Sequence, residues 1–441
     1  MNFLKKVDIF KLYSAFIILY ILTSSLFSRT GTGLYIFQFR LGEIAVGIGI
    51  LSTLLILIYD EKNTFVKKSK VIISILLVSF ILINIYYKSN FLDLYIFRSS
   101  TYIWYLPYLI IGIYTKKISM SESKNKYFYI FFILVYFFGI FNIEVVFSEF
   151  LYGITDKIEF HKGSEVVLLF VLFFFVHNHL QKRNTNKYFI FIFFFSIYLP
   201  FLMYKSRAAF IAILIFGLFE FYQYFININI KRVHIFYTIL IFIILGTAST
   251  VVSQQYLLPD YETVPELVRE SYSKILSDRY KTYNEDLPFM YFDNGRVFSA
   301  DGNLNWRIQM WQDMFEYMNK NKATFIYGIG HNNIFPVFDI ELFKDAKYRL
   351  GLDGLNQHLH NYFLTVFARG GLIHFLVLMY IYYLIYRNYF VLHENKYILI
   401  IYVSTFFVSF FDSSMENAHF PIIFYYFIGN QLLNNGKLSD C

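Results

Sequence analysis

The sequence predicts an all-α polytopic membrane protein with about twelve transmembrane helices and one large, partly helical extracytoplasmic loop. Of its 441 residues, 57% are hydrophobic and only 16% are charged, whereas soluble globular domains carry roughly 25% charged residues. Apolar runs such as YFYIFFILVYFFGIFNIEVVF and HIFYTILIFIILGTASTVV recur along the chain, and about 20 apolar residues suffice to cross a hydrocarbon core. These observations exclude a soluble globular protein.

The apolar runs define twelve candidate spans. The second and fourth are the least regular, because Arg40, Glu43 and Arg98 interrupt them. The first span ends without a small-residue cleavage site, so we expect an uncleaved helix. In chain order, the spans lie near residues 9–28, 38–59, 70–87, 97–115, 127–147, 164–180, 188–204, 208–226, 234–253, 362–386, 396–412 and 418–433.

The connections between spans alternate in charge. Those after even-numbered spans are basic and read DEKNTFVKKSK, TKKISMSESKNK, QKRNTNK and KRVH. Most of those after odd-numbered spans carry one or two positive charges, and DSSMEN carries none. Because cytoplasmic loops are enriched in Lys and Arg, both termini are predicted to be cytoplasmic. The same topology accounts for the net charge of +8, so no nucleic-acid partner is predicted.

The predicted topology divides the chain into three parts. Residues 1–253 hold spans one to nine, residues 254–356 form the large loop on the outer face, and residues 357–441 hold spans ten to twelve. A loop of this length is usually functional or a small domain of its own.

Within the loop, LNWRIQMWQDMFEYMNKN predicts an amphipathic helix. Asn303 or Asn305 is the expected N-cap, because a short polar side chain can accept from the first free backbone amides. The apolar face repeats at helical spacing and comprises Trp306, Met310, Met314 and Tyr317.

Ionisable side chains near membrane level are costly, and for this reason they are candidate functional residues. Arginine donates a planar pair of hydrogen bonds that suits pyrophosphate, and histidine can accept a proton from an attacking hydroxyl near neutral pH. Together they suit a reaction with a phosphate leaving group and a hydroxyl nucleophile, such as lipid-linked sugar transfer. On the outer side the candidates are Lys205, Arg207, Arg296, Arg307, His358, His360 and Asn361.

Each candidate also has a structural interpretation. Arg207 could be an interfacial anchor, and Arg307 could belong to the solvated face of its helix. His358 and His360 are two residues apart, so on a helix they would face different ways and one would be structural. No cluster of carboxylates joins the histidines, so no metal site is predicted.

Three further segments have structural interpretations. GIGHNN, which begins at Gly328, lacks the phosphate-loop pattern and predicts a helix-ending turn. Asp412 and Glu416, in the last outer turn, are interpreted as cap or counter-ion residues. Arg369 is expected to have a structural partner rather than a part in the chemistry.

Three motifs in the second half of the chain occur in the order typical of one family. The first is the Ser206–Arg207 turn that opens a span, and the second is WRIQMW followed by YGIGHNN. The third is HLHNYFLTVFARGGL, in which Gly370 and Gly371 are adjacent rather than spaced. From about residue 190 to its end the chain resembles the superfamily of O-antigen ligases and O-antigen polymerases, which act in bacterial envelope polysaccharide synthesis.

The resemblance implies an inverting, metal-independent glycosyltransferase of the bacterial cytoplasmic (inner) membrane, with the large loop in the periplasm and with no cofactor. Its donor would be an undecaprenyl-pyrophosphate-linked oligosaccharide. Arg207 and Arg307 would bind the pyrophosphate, with Arg296 as a weaker assignment, and His360 would activate the acceptor hydroxyl. The supporting residues would be Asn361, His358 and Lys205.

Alternatives remain open within this resemblance and outside it. A polymerase uses a lipid-linked repeat unit as acceptor and can work with a chain-length regulator, whereas a ligase transfers the glycan to lipid A–core. The loop of about 100 residues favours a polymerase. A polysaccharide flippase or other transporter is a further alternative. Transporters, however, place their polar residues near the midplane between repeated halves, and here the charges gather at one rim.

Overall fold

The computed structural model describes residues 9–58, 64–115, 125–155, 158, 161–180, 185–227, 232–256, 288–332, 335–338, 358–388, 397–416 and 419–432. The first and last parts of the predicted loop, residues 257–287 and 339–357, lie outside the described residues. The described part of the chain is mostly helical.

The helices follow the apolar runs of the sequence. In chain order they are α1 (Ile9–Thr32), α2 (Leu41–Ile58), α3 (Thr64–Tyr86), α4 (Leu94–Ser99), α5 (Thr101–Trp104), α6 (Pro107–Tyr114), α7 (Asn125–Phe141), α8 (Ile143–Val146), α9 (Ser148–Leu151), α10 (Gly163–Leu180), α11 (Thr185–Lys205), α12 (Arg207–Asn227), α13 (Arg232–Tyr256), α14 (Gly302–Lys320), α15 (Lys322–Tyr327), α16 (Tyr362–Tyr386), α17 (Tyr397–Phe411) and α18 (Pro421–Leu432). A short 3₁₀ helix spans Pro336–Phe338.

Seven helices in the described residues are long and apolar enough to cross a membrane. They are α1, α2, α3, α11, α12, α13 and α16, and they correspond to predicted spans one, two, three, seven, eight, nine and ten. The other five predicted spans coincide with helices outside this group. A mostly helical fold with several candidate membrane spans is therefore confirmed, whereas the number of twelve spans and the large outer loop stay predictions.

The structure shows why the two predicted spans with interrupting charges are irregular. The Arg98 guanidinium lies 2.6 Å from a Glu43 carboxylate oxygen, so the negative charge of the second span compensates that of Arg98 in the fourth. The fourth span is divided into α4, α5 and α6, and Pro107 begins α6, where its missing N–H costs no helical hydrogen bond.

Two small β-hairpins were not predicted from the sequence. The first pairs β1 (Tyr35–Ile36) with β2 (Phe39–Arg40), and the second pairs β3 (Met290–Asp293) with β4 (Arg296–Ser299). In the second hairpin Asn294 and Gly295 have φ values of 48° and 78°. Asn-Gly is the pair that two-residue hairpin turns favour, so the sequence does contain a signal for this hairpin.

The loop helix α14 begins earlier than predicted. Asp301, and not Asn303 or Asn305, is the N-cap: its carboxylate accepts a hydrogen bond from the Leu304 amide at 2.9 Å. The backbone is still extended at Asp301 and is already helical at Gly302. Asn305 instead accepts from the Ser299 amide at 3.0 Å and thereby joins α14 to β4.

The apolar face of α14 is confirmed at Met310 and Met314, which are buried. Tyr317 was wrongly assigned to that face, because it is 41% exposed while Met318 is buried. The buried face continues at four-residue spacing to Met318, and the adjacent Tyr317 lies about 100° away from it around the helix axis.

Helix α16 is kinked at Gly371, where φ is 66° and ψ is −166°. The kink leaves backbone carbonyls without partners inside the helix, and the turn after α15 binds them. The Ile329 amide donates to the Ala368 carbonyl at 2.8 Å, and the Gly330 amide donates to the Arg369 carbonyl at 3.1 Å. The adjacent glycine pair therefore has a packing role against the GIG turn, and Gly328, with φ of 77°, ends α15 as predicted.

The contacts of Arg369 agree with the prediction that it has a structural partner. It is fully buried, its guanidinium carbon lies 3.9 Å from the centre of the Phe335 ring, and it donates to the Tyr95 hydroxyl at 3.0 Å. These contacts tie the segment after α15 to α4 and α16.

Candidate active site

His360 lies at the entrance to α16 in a left-handed backbone conformation, with φ of 52°. Asn361 is the N-cap of α16, and its side-chain oxygen accepts from the Leu364 amide at 3.0 Å. On the other side, the Trp311 indole donates to the Leu359 carbonyl at 2.8 Å. Loop helix and membrane helix therefore both fix the backbone around His360.

The two histidines of HLHN are not on a helix, because α16 begins only at Tyr362. The expectation that one of them must face away is wrong for this reason. The His358 Nδ1 atom contacts a Glu416 carboxylate oxygen, and Arg307, Asp412 and His358 all act on the pKa of His360. Both histidines therefore belong to one polar cluster.

The surroundings of His360 favour the neutral imidazole. Burial lowers the pKa of His360 well below its ordinary value, and the charges of Arg307 and Lys162 lower it further, while Asp412 opposes them. The ring stands edge-on to Trp306, with 5.3 Å between ring centres. Its Nδ1 atom is buried and has no hydrogen-bond partner among the described residues. A neutral ring of this kind can accept a proton.

Arg307 does not belong to a solvated helix face. Its Nη1 atom donates to the Phe411 carbonyl at the end of α17. Burial lowers the pKa of Arg307, whereas the carboxylates of Asp412 and Asp301 oppose that shift. Because an arginine stays protonated at any relevant pH, the side chain brings a permanent positive charge next to His360.

Arg207 lies at the edge of the cluster. It pairs with Asp301, and its side chain is 74% exposed while that of Asp301 is 9% exposed. The Asp301 carboxylate also raises the pKa of Arg307. This one carboxylate therefore links Arg207 and Arg307. An exposed guanidinium beside the site fits either an anchor or a ligand-binding group.

Arg296 and Lys205 have partners elsewhere. Arg296 lies 2.6 Å from an Asp313 carboxylate oxygen and also donates to the Gln309 carbonyl at 3.3 Å, so it joins the hairpin to α14. The Lys205 ammonium donates to the Asn142 side chain at 2.6 Å. The contacts bring Arg307, His358 and His360 together and attach Arg207 through Asp301, but they do not include Arg296 or Lys205 in that group.

Several residues of the cluster were missed by sequence reasoning, and most lie in HKGSE at the start of α10. Ser164 donates to Asp412, and Glu165 lies 2.7 Å from the His419 Nε2 atom and accepts from Ser28. Arg29, at the end of α1, lies 3.6 Å from Glu165. HKGSE has the same signal as HLHN, since both place ionisable groups directly before an apolar run on the predicted outer side.

Asp412 is the common partner of this cluster. Burial raises its pKa, but the charges of Lys162, Arg307 and Arg29 outweigh burial and hold the pKa well below its ordinary value. Asp412 and Glu416 are counter-ions, as expected from the sequence. Among the described residues, no group of three or more His, Cys, Asp or Glu side chains could hold a metal ion.

Part of the chain is similar to a known protein family. Residues 190–379 match the family model described as O-antigen ligase, a region that contains Arg207, Arg307 and His360. No curated protein matches the chain.

The family match confirms the resemblance to the superfamily of O-antigen ligases and polymerases. The matched region covers less than half of the chain, and the long apolar helices indicate an integral membrane protein with a segment similar to that family.

Proposed function

We propose that this protein is an inverting glycosyltransferase of the bacterial cytoplasmic membrane that uses an undecaprenyl-pyrophosphate-linked glycan as donor, with O-antigen polymerase as its activity. The observation that carries the proposal is the environment of His360. A neutral imidazole with an unpaired buried Nδ1 stands beside the cation Arg307, which pairs a proton acceptor with an anion-binding group.

In the proposed reaction the oxygen of an acceptor hydroxyl attacks the anomeric carbon of the donor sugar. A new carbon–oxygen bond forms while the bond from that carbon to the pyrophosphate oxygen breaks, and its electron pair leaves on the pyrophosphate. His360 takes the hydroxyl proton, and Arg307 stabilises the negative charge that develops on the leaving group. Attack opposite to the leaving group inverts the configuration at the anomeric carbon.

The acceptor separates the two activities. The predicted loop of about 100 residues supports a polymerase, whereas the match to the O-antigen ligase family supports transfer to lipid A–core. For a polymerase the partners would include a second lipid-linked repeat unit and a chain-length regulator. In both cases the site would lie on the periplasmic side, with both termini in the cytoplasm.

A surface-glycan gel on a strain that lacks this gene tests the proposal. A deletion that leaves core capped with one repeat unit identifies a polymerase. Bare core, with long chains accumulating on undecaprenyl pyrophosphate, identifies a ligase. An unchanged glycan pattern contradicts both.

Complementation tests the role of His360. Wild type should restore the glycan ladder and His360→Ala should not, at equal protein level. His234→Ala is the matched control, since His234 lies at the start of α13 and has no part in the proposed site. A full ladder with His360→Ala would remove His360 from the mechanism.

A further inference from the structure

An apolar groove of about 580 Å³ lies between helices α7, α11 and α13. Its volume is within the range of small-molecule sites, roughly 300–1,000 Å³. The lining is almost wholly apolar and comes mainly from the N-terminal half of each helix. Each helix contributes at least two side chains, among them Tyr129 and Ile133 of α7, Phe193 and Phe194 of α11, and Ile241 and Ile244 of α13.

The groove is closed at one end by a contact that joins all three helices. The hydroxyl oxygens of Tyr136 in α7 and Ser249 in α13 lie 2.7 Å apart, and Ser249 donates to the Ile197 carbonyl of α11 at 2.6 Å. The groove begins about one helical turn before this contact, at Ile133 and Leu245. From there it continues toward the N-terminal ends of the helices.

The length of the groove matches one leaflet of a bilayer. Tyr129 lies four residues after the first residue of α7, and Leu245 lies thirteen residues after the first residue of α13. At 1.5 Å per residue, the lining therefore covers the region about 6 to 20 Å from the helix starts. This length is close to half of a hydrocarbon core of roughly 30 Å, so the groove suits an acyl chain of a single leaflet.

The open end of the groove is surrounded by basic sequence. All three helices begin within or directly after one of the basic connections, which in chain order read TKKISMSESKNK, QKRNTNK and KRVH. Lys126, in the first turn of α7, is exposed and precedes Tyr129 and Ile133 by three and seven residues, the spacing of one helix face. Basic pockets between helices on the cytoplasmic side of a membrane bind anionic lipid headgroups.

We propose that this groove binds an anionic phospholipid of the cytoplasmic leaflet, with an acyl chain between α7 and α13 and the phosphate headgroup near Lys126. The charge at the open end favours this occupant, because a zwitterionic lipid or a second copy of the chain would fill an apolar groove without using the basic segments. The inference goes beyond the proposed function and is independent of it, since Arg207 follows the opposite end of α11.

Native mass spectrometry of the purified protein in detergent tests this inference. The protein is titrated with dioleoyl phosphatidylglycerol and, separately, with dioleoyl phosphatidylcholine, which has the same acyl chains and no net charge. We expect wild type to retain one phosphatidylglycerol molecule at a concentration about fivefold or more below that needed for phosphatidylcholine. A basic residue near an anionic headgroup contributes roughly this factor.

Two neighbouring residues of α13 test whether the lipid occupies the groove. Ile243 and Ile244 are each 57% exposed, and of the two it is Ile244 that lines the groove. Ile244→Trp should fill the groove and abolish retention of phosphatidylglycerol. Ile243→Trp is the matched control, which places the same bulk on the same helix and should retain the lipid as wild type does.

A second pair of variants tests the headgroup contact. Lys126→Gln should weaken the retention of phosphatidylglycerol about fivefold and leave that of phosphatidylcholine unchanged, and Lys126→Arg should restore it. Lys68→Gln is the matched control, because Lys68 is an exposed lysine near the start of α3, also at a predicted cytoplasmic end. If Ile244→Trp does not fold, Lys126→Gln decides the inference.

Three results would overturn the inference. Equal retention of both lipids by wild type would mean that the groove holds acyl chains without recognising the headgroup. Equal behaviour of Ile243→Trp and Ile244→Trp would place the lipid elsewhere. A wild-type dimer that Ile244→Trp converts to a monomer, with no lipid retained, would assign the groove to a second copy of the chain. None of these measurements involves glycan transfer, so the proposed function stands or falls separately.

Discussion

At the scale of single residues, the central feature is a histidine whose charge state depends on its neighbours. Arg307 and Lys162 disfavour the protonated ring of His360, and Asp412 favours it. Since a general base must start neutral, activity should rise with pH through the pKa of His360. If His360 is the base, these neighbours set the acidic limit of activity.

Replacing Asp412 with asparagine should move that limit. Asp412 raises the pKa of His360, so Asp412→Asn should lower this pKa and shift the acidic limb of kcat/KM to lower pH. The measurement is the pH profile of kcat/KM, which reports groups of the free enzyme. An acidic limb at the same pH in the variant and in wild type would show that His360 does not set it.

Single substitutions can decide whether Arg296 is structural or binds the donor. Its contacts with Asp313 and Gln309 indicate that it joins the hairpin to α14, whereas the family resemblance assigns it to pyrophosphate. If it is structural, Arg296→Ala and Asp313→Ala should lower the melting temperature by similar amounts, and the double variant should add little. If it binds the donor, Arg296→Ala alone should raise the KM for the donor, and Asp313→Ala should not.

At the scale of elements, the kinked helix α16 positions His360. Gly371 has a positive φ of 66°, and a Cβ atom there would lie 2.2 Å from the Ile326 carbonyl oxygen. Gly370, Gly371 and the GIG turn therefore fit together only with these small residues. The kink directs the N-terminal part of α16, which carries the HLHN segment, against the loop helix.

Gly371→Ala should destabilise the protein by about 2 kcal/mol or more, because it combines backbone strain with a clash against backbone. The measurement is the melting temperature of the purified protein in detergent. Gly47→Ala is the matched control, since a Cβ atom at Gly47 of α2 has no neighbour within 4 Å. A Gly371→Ala protein as stable as Gly47→Ala would contradict the account of the kink.

At the scale of the whole molecule, apolar patterning was enough to predict a mostly helical protein with several membrane spans, because each run of the sequence forms one or more helices near its predicted position. The part of the site that the first half of the chain contributes could not be predicted in the same way. Its contacts join Ser28 to Glu165, 137 residues apart, and Arg29 to Ser413, 384 residues apart. One sequence shows each polar segment at a helix end but does not show which helix ends meet.

The N-cap of α14 illustrates the same limit on a smaller scale. Asp301, Asn303 and Asn305 are all suitable caps by residue type. The position of β4, and the hydrogen bond between Asn305 and Ser299, decide between them. Those contacts involve the β3–β4 hairpin, which was not predicted from the sequence.

A cysteine-labelling experiment tests the predicted orientation of the protein in the membrane. Cys441 is the only cysteine, so Cys441→Ser provides a background for single new cysteines. In intact spheroplasts, a membrane-impermeant maleimide should label Lys320→Cys in the loop helix and should label the native Cys441 only after lysis. Labelling of Cys441 before lysis, without labelling at position 320, would reverse the predicted topology.

The most direct test of the central claim is transfer by the purified protein with a synthetic undecaprenyl-pyrophosphate-linked repeat unit as donor. We expect wild type to join two units with inverted anomeric configuration, and we expect His360→Ala to lower the rate about a hundredfold or more at unchanged stability. Transfer by His360→Ala at the wild-type rate, or a product with retained configuration, would contradict it.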